Sequence, residues 1–429
     1  MDRMAAASAK PTLLVLSQVY VPDPASVGQH MADAAQSMAA RGYDVRVLTS
    51  GRGYDDPSVK YPKKEILNGV SVQRLPLSSF GKKSIAVRLL GGCIFMMQAL
   101  IHGLFMRRID GILVSTSPPM CSIAAVMLSV LRRAPITYWV MDLNPDQMIE
   151  MGNITERSLP ARIFNALNRM ILKRSRRVVV LDRFMLERVN RKHDVTDKAV
   201  ILPPWPHEDQ LDPVDRDTNP FRLKHDLGDS FVFMYSGNHS PANPIDTIVY
   251  AAERLAHRDD IKFLFVGGGL AKKSVEAAIE RGAKNIISLP YQPFSELRFS
   301  LSAADVHLVT LGNEVVGVVH PCKVYGAMAV SRPVLFVGPK PSHVADILEN
   351  DSIGWHLDHG DVDGAVRTID SIVATSREEL SAMGSRSKDL IEGRLGKESL
   401  CGRFCDVIED AMSKKPMPVP AASQAEKAS

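Results

Sequence analysis

The stretch FVFMYSGNHSPANPIDTIVYAAERLAHRDDIKFLFVGGG, Phe231 to Gly269, holds two apolar runs with a helical pattern between them. Phe231–Tyr235 is apolar throughout, as a strand covered on both faces must be. Ser236-Gly237-Asn238-His239-Ser240-Pro241 is polar and contains a glycine. Ile245–Leu255 then carries apolar residues at helical spacing, and Lys262–Val266 is a second apolar strand closed by Gly267-Gly268-Gly269. Strand, helix and parallel strand in this order form a βαβ unit, with its ligand-binding turns at the carboxyl ends of the strands.

The alternation continues in both directions. Downstream, strands are predicted at Ile286–Leu289, Val306–Leu311 and Val334–Val337. Helices are predicted at Leu270–Arg281, Ser295–Ala303, Lys323–Val330 and His343–Glu349. Upstream, strands are predicted at Thr12–Leu16, Asp44–Leu48, Ser71–Leu75, Gly111–Val114, Ile136–Val140 and Arg177–Leu181. Helices are predicted at Gly28–Arg41, Met120–Leu131 and Leu159–Arg174. Between the two series lies Pro203-Pro204-Trp205-Pro206, followed by an acidic, proline-bearing stretch to Pro220. Proline removes a backbone donor and fixes φ, so neither a helix nor a central strand continues through it. The reading is α/β, with two doubly wound domains facing across a cleft. It places an N-terminal domain at 1–205, a C-terminal domain at 206–395, a helix at 396–413 packing back on the N-domain, and a disordered tail at 414–429.

Composition narrows the class. Of 429 residues, 45% are apolar and 23% charged, a globular balance that excludes disorder for the bulk. The net charge of +4 is too small to argue for nucleic acid. Five cysteines, Cys93, Cys121, Cys322, Cys401 and Cys405, form no disulfide framework, and a cytoplasmic setting is expected. The apolar run after Met1-Asp2-Arg3 is too short for a secretory signal. Leu89–Met106 carries no charge and runs into Arg107-Arg108. It reads as a core helix, as a span at the lower length limit, or as an interfacial helix with arginines at headgroup level. A peripheral membrane contact through 85–108 is the expectation.

Several turns hold residues suited to an anion. The glycine turn at Tyr235–Pro241 exposes backbone N–H groups at a helix start, which suits a diphosphate but also serves any βα connection. Gly267-Gly268-Gly269 permits close backbone approach, by a ligand or by the neighbouring turn. In Gly312–Lys323, Lys323 falls in the first turn of a helix, where a cation is unfavourable unless an anion binds there. Gly28 either admits a phosphate or serves as a helix cap. Asp142 and Asp146, just past a strand, either meet a sugar hydroxyl or cap the next helix. His207, His225, His257, His343, His356 and His359 are scattered and read as surface or structural residues. There is no P-loop, no H-E-x-x-H, no G-x-S-x-G, no zinc-type cysteine pairing, nor a D-x-D that would hold a metal on a diphosphate.

Taken together, residues 12–395 resemble glycosyltransferase family 4 of the GT-B fold, in its bacterial exopolysaccharide and colanic-acid branch. The likeness rests on the loop Pro22–His30, on Asp142-Leu143-Asn144-Pro145-Asp146, on Tyr235-Ser236-Gly237-Asn238, and on His320-Pro321-Cys322-Lys323-Val324-Tyr325-Gly326. It implies retaining transfer from a UDP- or GDP-sugar donor to a lipid-linked or glycan acceptor, with no metal or other cofactor and no nucleic acid. Gly237, Asn238, His239, His320 and Lys323 would hold the diphosphate, with Gly28 closing from the other domain. Gly268, Tyr291, Gln292 and Tyr325 would frame the nucleobase and ribose, and Asp142 and Lys323 would act at the reacting centre. The pattern departs from the family at its paired glutamates, where Val318 and Gly326 stand. It also lacks the family's Arg and Lys after the first C-domain strand, leaving His320 or His239 as candidate substitutes. A nucleotide-sugar 2-epimerase on the same fold and a non-catalytic nucleotide-sugar-binding protein are the alternatives.

Overall fold

A computed structural model describes residues 10–53, 56–76, 85–116, 118, 120–206 and 211–414. The expected tail after Lys414, the start of the chain before Lys10, and His207 lie outside the described residues. Two compact units emerge: residues up to Pro204 together with those from Leu400 onward, and Trp205–Ser399.

The strands of the first unit are β1 (Thr12–Leu16), β2 (Asp44–Ser50), β3 (Lys64–Leu67), β4 (Val70–Leu75), β5 (Gly111–Ser115), β6 (Ile136–Trp139), β7 (Arg177–Val180) and β8 (Ala199–Ile201). They form one sheet in the order β3-β4-β2-β1-β5-β6-β7-β8. Every pairing is parallel except β3 with β4. The β3–β4 hairpin is absent from the sequence-based strand set. Its turn, Asn68-Gly69, has φ of 47° and 82°, and Asn-Gly between strands is the usual two-residue hairpin signal. The helices are α1 (Ser26–Ala40), α2 (Ile85–Leu104), α3 (Cys121–Arg132), α4 (Asp146–Glu150), α5 (Leu159–Arg174) and α6 (Arg183–Lys192). α2 holds most of the uncharged segment expected at Leu89–Met106, but begins earlier, with Arg88 in its first turn, and ends at Leu104. No helix among the described residues is long and apolar enough to cross a membrane.

The second unit opens with α7 (Pro220–Lys224), β9 (Phe231–Ser236), α8 (Asp246–Arg254), β10 (Ile261–Val266), α9 (Lys272–Glu280) and β11 (Ile286–Leu289). It continues with α10 (Leu297–Ser302), β12 (Val306–Thr310), α11 (Lys323–Ala329), β13 (Val334–Val337), α12 (His343–Asp351), β14 (Gly354–Leu357), α13 (Val362–Val373) and α14 (Arg377–Glu392). Its sheet, β11-β10-β9-β12-β13-β14, is parallel throughout. The two-residue period of β9 shows why helices are needed on both faces. Phe233 and Tyr235 enter the core beneath α8 and α13, while Val232 and Met234 enter the one beside Phe221 and Ala303.

A final helix, α15 (Lys397–Met412), belongs to the first unit from Leu400 on. Phe404 lies 4.2 Å from the Trp139 ring, and Asp410 pairs with Arg177 at 2.5 Å with both side chains largely buried. Cys401 and Cys405 are buried against α1, beside Ser37 and the Ala34 carbonyl.

Candidate functional site

In the second sheet the strand order reverses between β9 and β12, so the connections after these two strands leave in opposite directions. A doubly wound sheet binds ligands at such a switch point. The β9–β12 ladder registers only Val306 with Phe233 and His307 with Met234, so the strands part toward their carboxyl ends. The polypeptide after β9 fills the gap: Asn243 Nδ2 donates to the Thr310 carbonyl at 2.7 Å, and Gly312 N–H donates to Ala242 O at 2.9 Å.

This arrangement brings Gly237, after β9, onto Lys323, at the start of α11. Gly237 has φ +131°, and a β-carbon there would stand 2.9 Å from Lys323 Cε and 3.7 Å from Nζ. The ammonium lies 5.2 Å from the centroid of the buried Tyr235 ring. It makes no ion pair among the described residues, and burial lowers its pKa. Asn238, exposed at the tip, has its carbonyl held by the Tyr235 hydroxyl at 2.9 Å. The second glycine turn packs on the first. A β-carbon on Gly267 (φ +125°) would fall 2.1 Å from Gly237 O, and one on Gly269 (φ +134°) would fall 2.5 Å from Asn238 Oδ1. Only glycine allows two backbone turns to approach in this way.

His239 takes the opposite course from that expected. Its ring is fully buried, 4.7 Å from Tyr235 and 6.2 Å from Phe265. Desolvation first, then the charges of Lys272 and Lys323, push its pKa down to about 4. It is neutral at pH 7 and faces the core, so it is not placed to neutralise a phosphate. It shapes the turn from beneath.

The missed residue is Lys272, first in α9. Its ammonium donates to the carbonyls of Gly267 and Leu289, each at 2.6 Å, and ties the triple-glycine turn to the end of β11. The reasoning that singled out Lys323, a cation in the first turn of a helix, would have found it. A cavity of 560 Å³ opens beside it, lined by Gly267, Gly268, Gly269, Lys273, Pro290 and Tyr291 among others. Tyr291 is 60% exposed, and its hydroxyl donates to Gly268 O at 3.3 Å. Gln292 is half-buried, with its amide on the Pro290 carbonyl. Gly268, Tyr291 and Gln292 therefore sit together.

Tyr325 does not join this cavity's lining. It is buried, and its hydroxyl meets His320 Nε2 at 2.7 Å and His343 Nε2 at 3.2 Å. The two imidazoles lie 4.5 Å apart. One hydroxyl proton cannot serve both rings, so at least one histidine donates to the Tyr325 oxygen. His343, read from sequence as surface or structural, is a partner of His320 across this hydroxyl.

In the first unit the corresponding reversal lies between β1 and β5, whose connections lead to β2 on one side and β6 on the other. Gly28 is buried at the start of α1; a β-carbon there would stand 3.1 Å from Tyr20 N, so glycine lets the helix close on the preceding loop. Asp142 follows β6. Its N–H and that of Met141 donate to Thr116 Oγ1 at 3.1 and 3.2 Å, and burial raises the carboxyl pKa. Asp146 instead opens α4 and pairs with Lys192 at 2.5 Å. Two D-x-D runs serve local structure: Asp215 accepts from Asp217 N–H, Asp361 caps α13, and Asp363 pairs with Arg254. No group of three or more His, Cys, Asp or Glu among the described residues is arranged to hold a metal ion.

A glycine turn carrying an unpaired ammonium over a parallel sheet suits a nucleoside diphosphate. Comparison with known proteins agrees with this chemistry. Residues 26–205 match the model of a glycosyl transferase 4-like domain, and residues 215–389 that of glycosyl transferases group 1. The probable glycosyltransferase WbjE of Pseudomonas aeruginosa is 27% identical over 312 residues, covering 72% of this chain and 76% of its own. The putative colanic acid biosynthesis glycosyl transferase WcaI of Escherichia coli is 26% identical over 352 residues, covering 79% and 86%. Among solved structures, sucrose-phosphate synthase from Thermosynechococcus elongatus superposes with a TM-score of 0.74 at 14% identity, over 93% of this chain and 98% of that one. Anabaena HepE in complex with UDP-glucose gives 0.68 at 12%, over 93% and 99%. Matched along both of its halves, the chain belongs to glycosyltransferase family 4 and has the GT-B fold.

Proposed function

We propose that this glycosyltransferase moves a sugar from a UDP- or GDP-sugar onto a lipid-linked or polysaccharide acceptor during cell-surface polysaccharide biosynthesis, with retention of anomeric configuration. The observation that carries the donor half is the unpaired Lys323 ammonium on the Gly237 turn. The polysaccharide context rests on the likeness to WcaI, described as acting in colanic acid biosynthesis, and the donor class on that to HepE, solved with UDP-glucose.

As the sugar–phosphate bond breaks, negative charge grows on the departing diphosphate. Lys323 and the Asn238 N–H stabilise that charge, the Gly237 N–H being already donated to Val266 O at 2.9 Å, in a setting where a preorganised donor contributes about 10²–10³-fold in rate. No metal is required in this scheme, because the ammonium meets the charge directly. The base and ribose fit beside Gly268 and Tyr291. Asp142, with its raised pKa, accepts a hydrogen bond or a proton from a sugar hydroxyl.

The test is a screen of UDP- and GDP-sugars by thermal shift, since a ligand bound only by the folded state raises its stability. Transfer of the stabilising donor to lipid-linked acceptors is then followed with and without EDTA. Product with the donor's anomeric configuration, formed at an unchanged rate in EDTA, is expected. Conversion of the donor to its 2-epimer without acceptor would replace this reading, as would tight binding with no turnover.

A further inference from the structure

At the amino end of β12, three guanidiniums crowd one carboxylate. Arg216 pairs with Asp305, and Arg222 stands 3.6 Å from it, with both arginine side chains largely buried. Asp305 also accepts from the Val232 N–H at 2.8 Å. Arg332 lies close enough to feel these charges but makes no ion pair among the described residues. Burial lowers its pKa, and the charge of Arg216 adds to the effect. Its Nε donates to Ala304 O at 2.8 Å and its Nη2 to Ser302 O at 3.1 Å. Nη1 has only a 3.5 Å contact with Ser331 O, at the outer limit of a hydrogen bond. A guanidinium this enclosed calls for an anion that the fold itself does not supply.

Arg332 opens on a cavity of 580 Å³. Another wall is α14, which sits hard against the preceding turn: a β-carbon on Gly384 would fall 2.1 Å from Ser331 O. Arg377, Ser381 and Ser385, four residues apart on one face of α14, line the cavity with Lys388. Lys388 is engaged by the carbonyls of Leu211 and Ala329 and by Glu392. Arg377 is exposed and makes no ion pair among the described residues. Two further acids reach the lining, but Asp215 takes the Asp217 N–H, Asp389 is exposed, and neither pairs with Arg332 or Arg377. Pro213, Pro333 and Leu380 add an apolar wall. The cavity borders the amino ends of β12 and β13, whereas the Gly237 and Gly267 turns follow the carboxyl ends of β9 and β10. In a parallel sheet these are opposite edges, so the cavity is separate from the donor turns.

We propose that this cavity binds a small phosphate monoester, with the phosphate between Arg332 and Arg377 and the organic part against Leu380 and the two prolines. A phosphomonoester carries about −1.5 to −2 charges near neutral pH and three acceptor oxygens. That charge answers two guanidiniums at once, and the planar fork of arginine suits phosphate. Ser381 and Ser385 supply hydroxyl donors beside it. A single carboxylate would leave one guanidinium unmatched, and an apolar ligand would leave both. The volume lies within the range of about 300–1,000 Å³ usual for small-molecule sites. A ligand here leaves the Gly237 turn free, so it and the sugar donor bind together. The inference goes beyond the transfer reading and does not depend on it.

The experiment is a thermal-shift titration of the full chain with glycerol 3-phosphate, with glycerol and sodium chloride at matched ionic strength as controls. The melting temperature is expected to rise with glycerol 3-phosphate and with neither control. Lys323→Ala should keep this rise, because the ammonium it removes lies at the other edge of the sheet. Arg377→Gln should weaken the apparent affinity about tenfold, the usual scale for one hydrogen-bonded charge. Ser385→Glu, which puts a carboxylate into the cavity, should abolish the response. Both residues are exposed, so ligand-free melts of these two variants should match the parent, as should their stabilisation by UDP. A rise reproduced by salt would overturn the proposal, as would one lost in Lys323→Ala. So would a rise that neither Arg377→Gln nor Ser385→Glu reduces, or no rise at all. A chain that answers UDP but not glycerol 3-phosphate would end this inference alone and leave the donor reading standing.

Discussion

The stem of Lys323 lies directly on the Cα of Gly237: a β-carbon at the glycine would stand 2.9 Å from Cε of the lysine. The glycine is the floor of the lysine's seat, and the two act as one element.

Replacing Lys323 by Met should separate activity from stability. Burial lowers the lysine's pKa, so the folded state holds this proton less tightly than the unfolded chain does. That cost is present in full below the folded pKa and fades as pH rises to the unfolded value. Removing the charge should leave the melting temperature unchanged or higher, while transfer falls about 10²–10³-fold. Steady-state rates and a thermal melt on one preparation check both. A variant within about threefold of the parent rate would dismiss Lys323 from the site.

Gly237→Ala forces an L-residue to φ +131° and pushes against Lys323. A loss of about 1–3 kcal/mol is expected, with weaker donor binding. Gly267→Ala should be worse, because its β-carbon would fall 2.1 Å from a backbone oxygen that cannot swing aside. Urea melts of the two variants should rank in that order.

Acid should weaken the second unit through two histidines. His239 and His307 are both buried, and both have pKa values pushed down to about 4 from the ordinary 6.5, chiefly by desolvation. As pH falls through 6.5 the unfolded chain takes up protons that these folded rings refuse until about 4. Stability is therefore complete above 6.5 and declines toward 4, by about 3 kcal/mol per ring when fully developed. His239→Phe, which keeps a ring between Tyr235 and Phe265 without ionising, should roughly halve the slope of urea-melt stability against pH in that window.

The last helix should matter to the first unit through its buried contacts and not its exposed ones. Phe404→Ala removes a ring packed on Trp139 and is expected to cost about 3–5 kcal/mol. Asp410→Ala leaves Arg177 buried without its carboxylate, with a loss of similar size. Asp406→Ala breaks the exposed pair with Arg41 and should change stability by no more than about 1 kcal/mol. Denaturant melts of the three variants test the contrast.

The alternation of apolar runs with helical patterns, and the glycines that follow strands, were legible along the chain because each is written within a few neighbouring residues. A strand buried on both faces must be apolar at every position, and a positive φ calls for glycine wherever it occurs. From these come the two parallel sheets and the turns after β9 and β10. The Asn68-Gly69 hairpin signal is equally local.

Other features depend on distant segments, which local pattern does not encode. Gly237 receives Lys323 because the strand order reverses between β9 and β12. His239 turns inward because Phe265, on another strand, offers its ring a place. Tyr325 meets His343 because α12 begins beside it, and the Lys272 ammonium is held by carbonyls from two separate turns. Periodicity states that a side chain is buried, but only the packing of elements far apart in the chain selects what it is buried against.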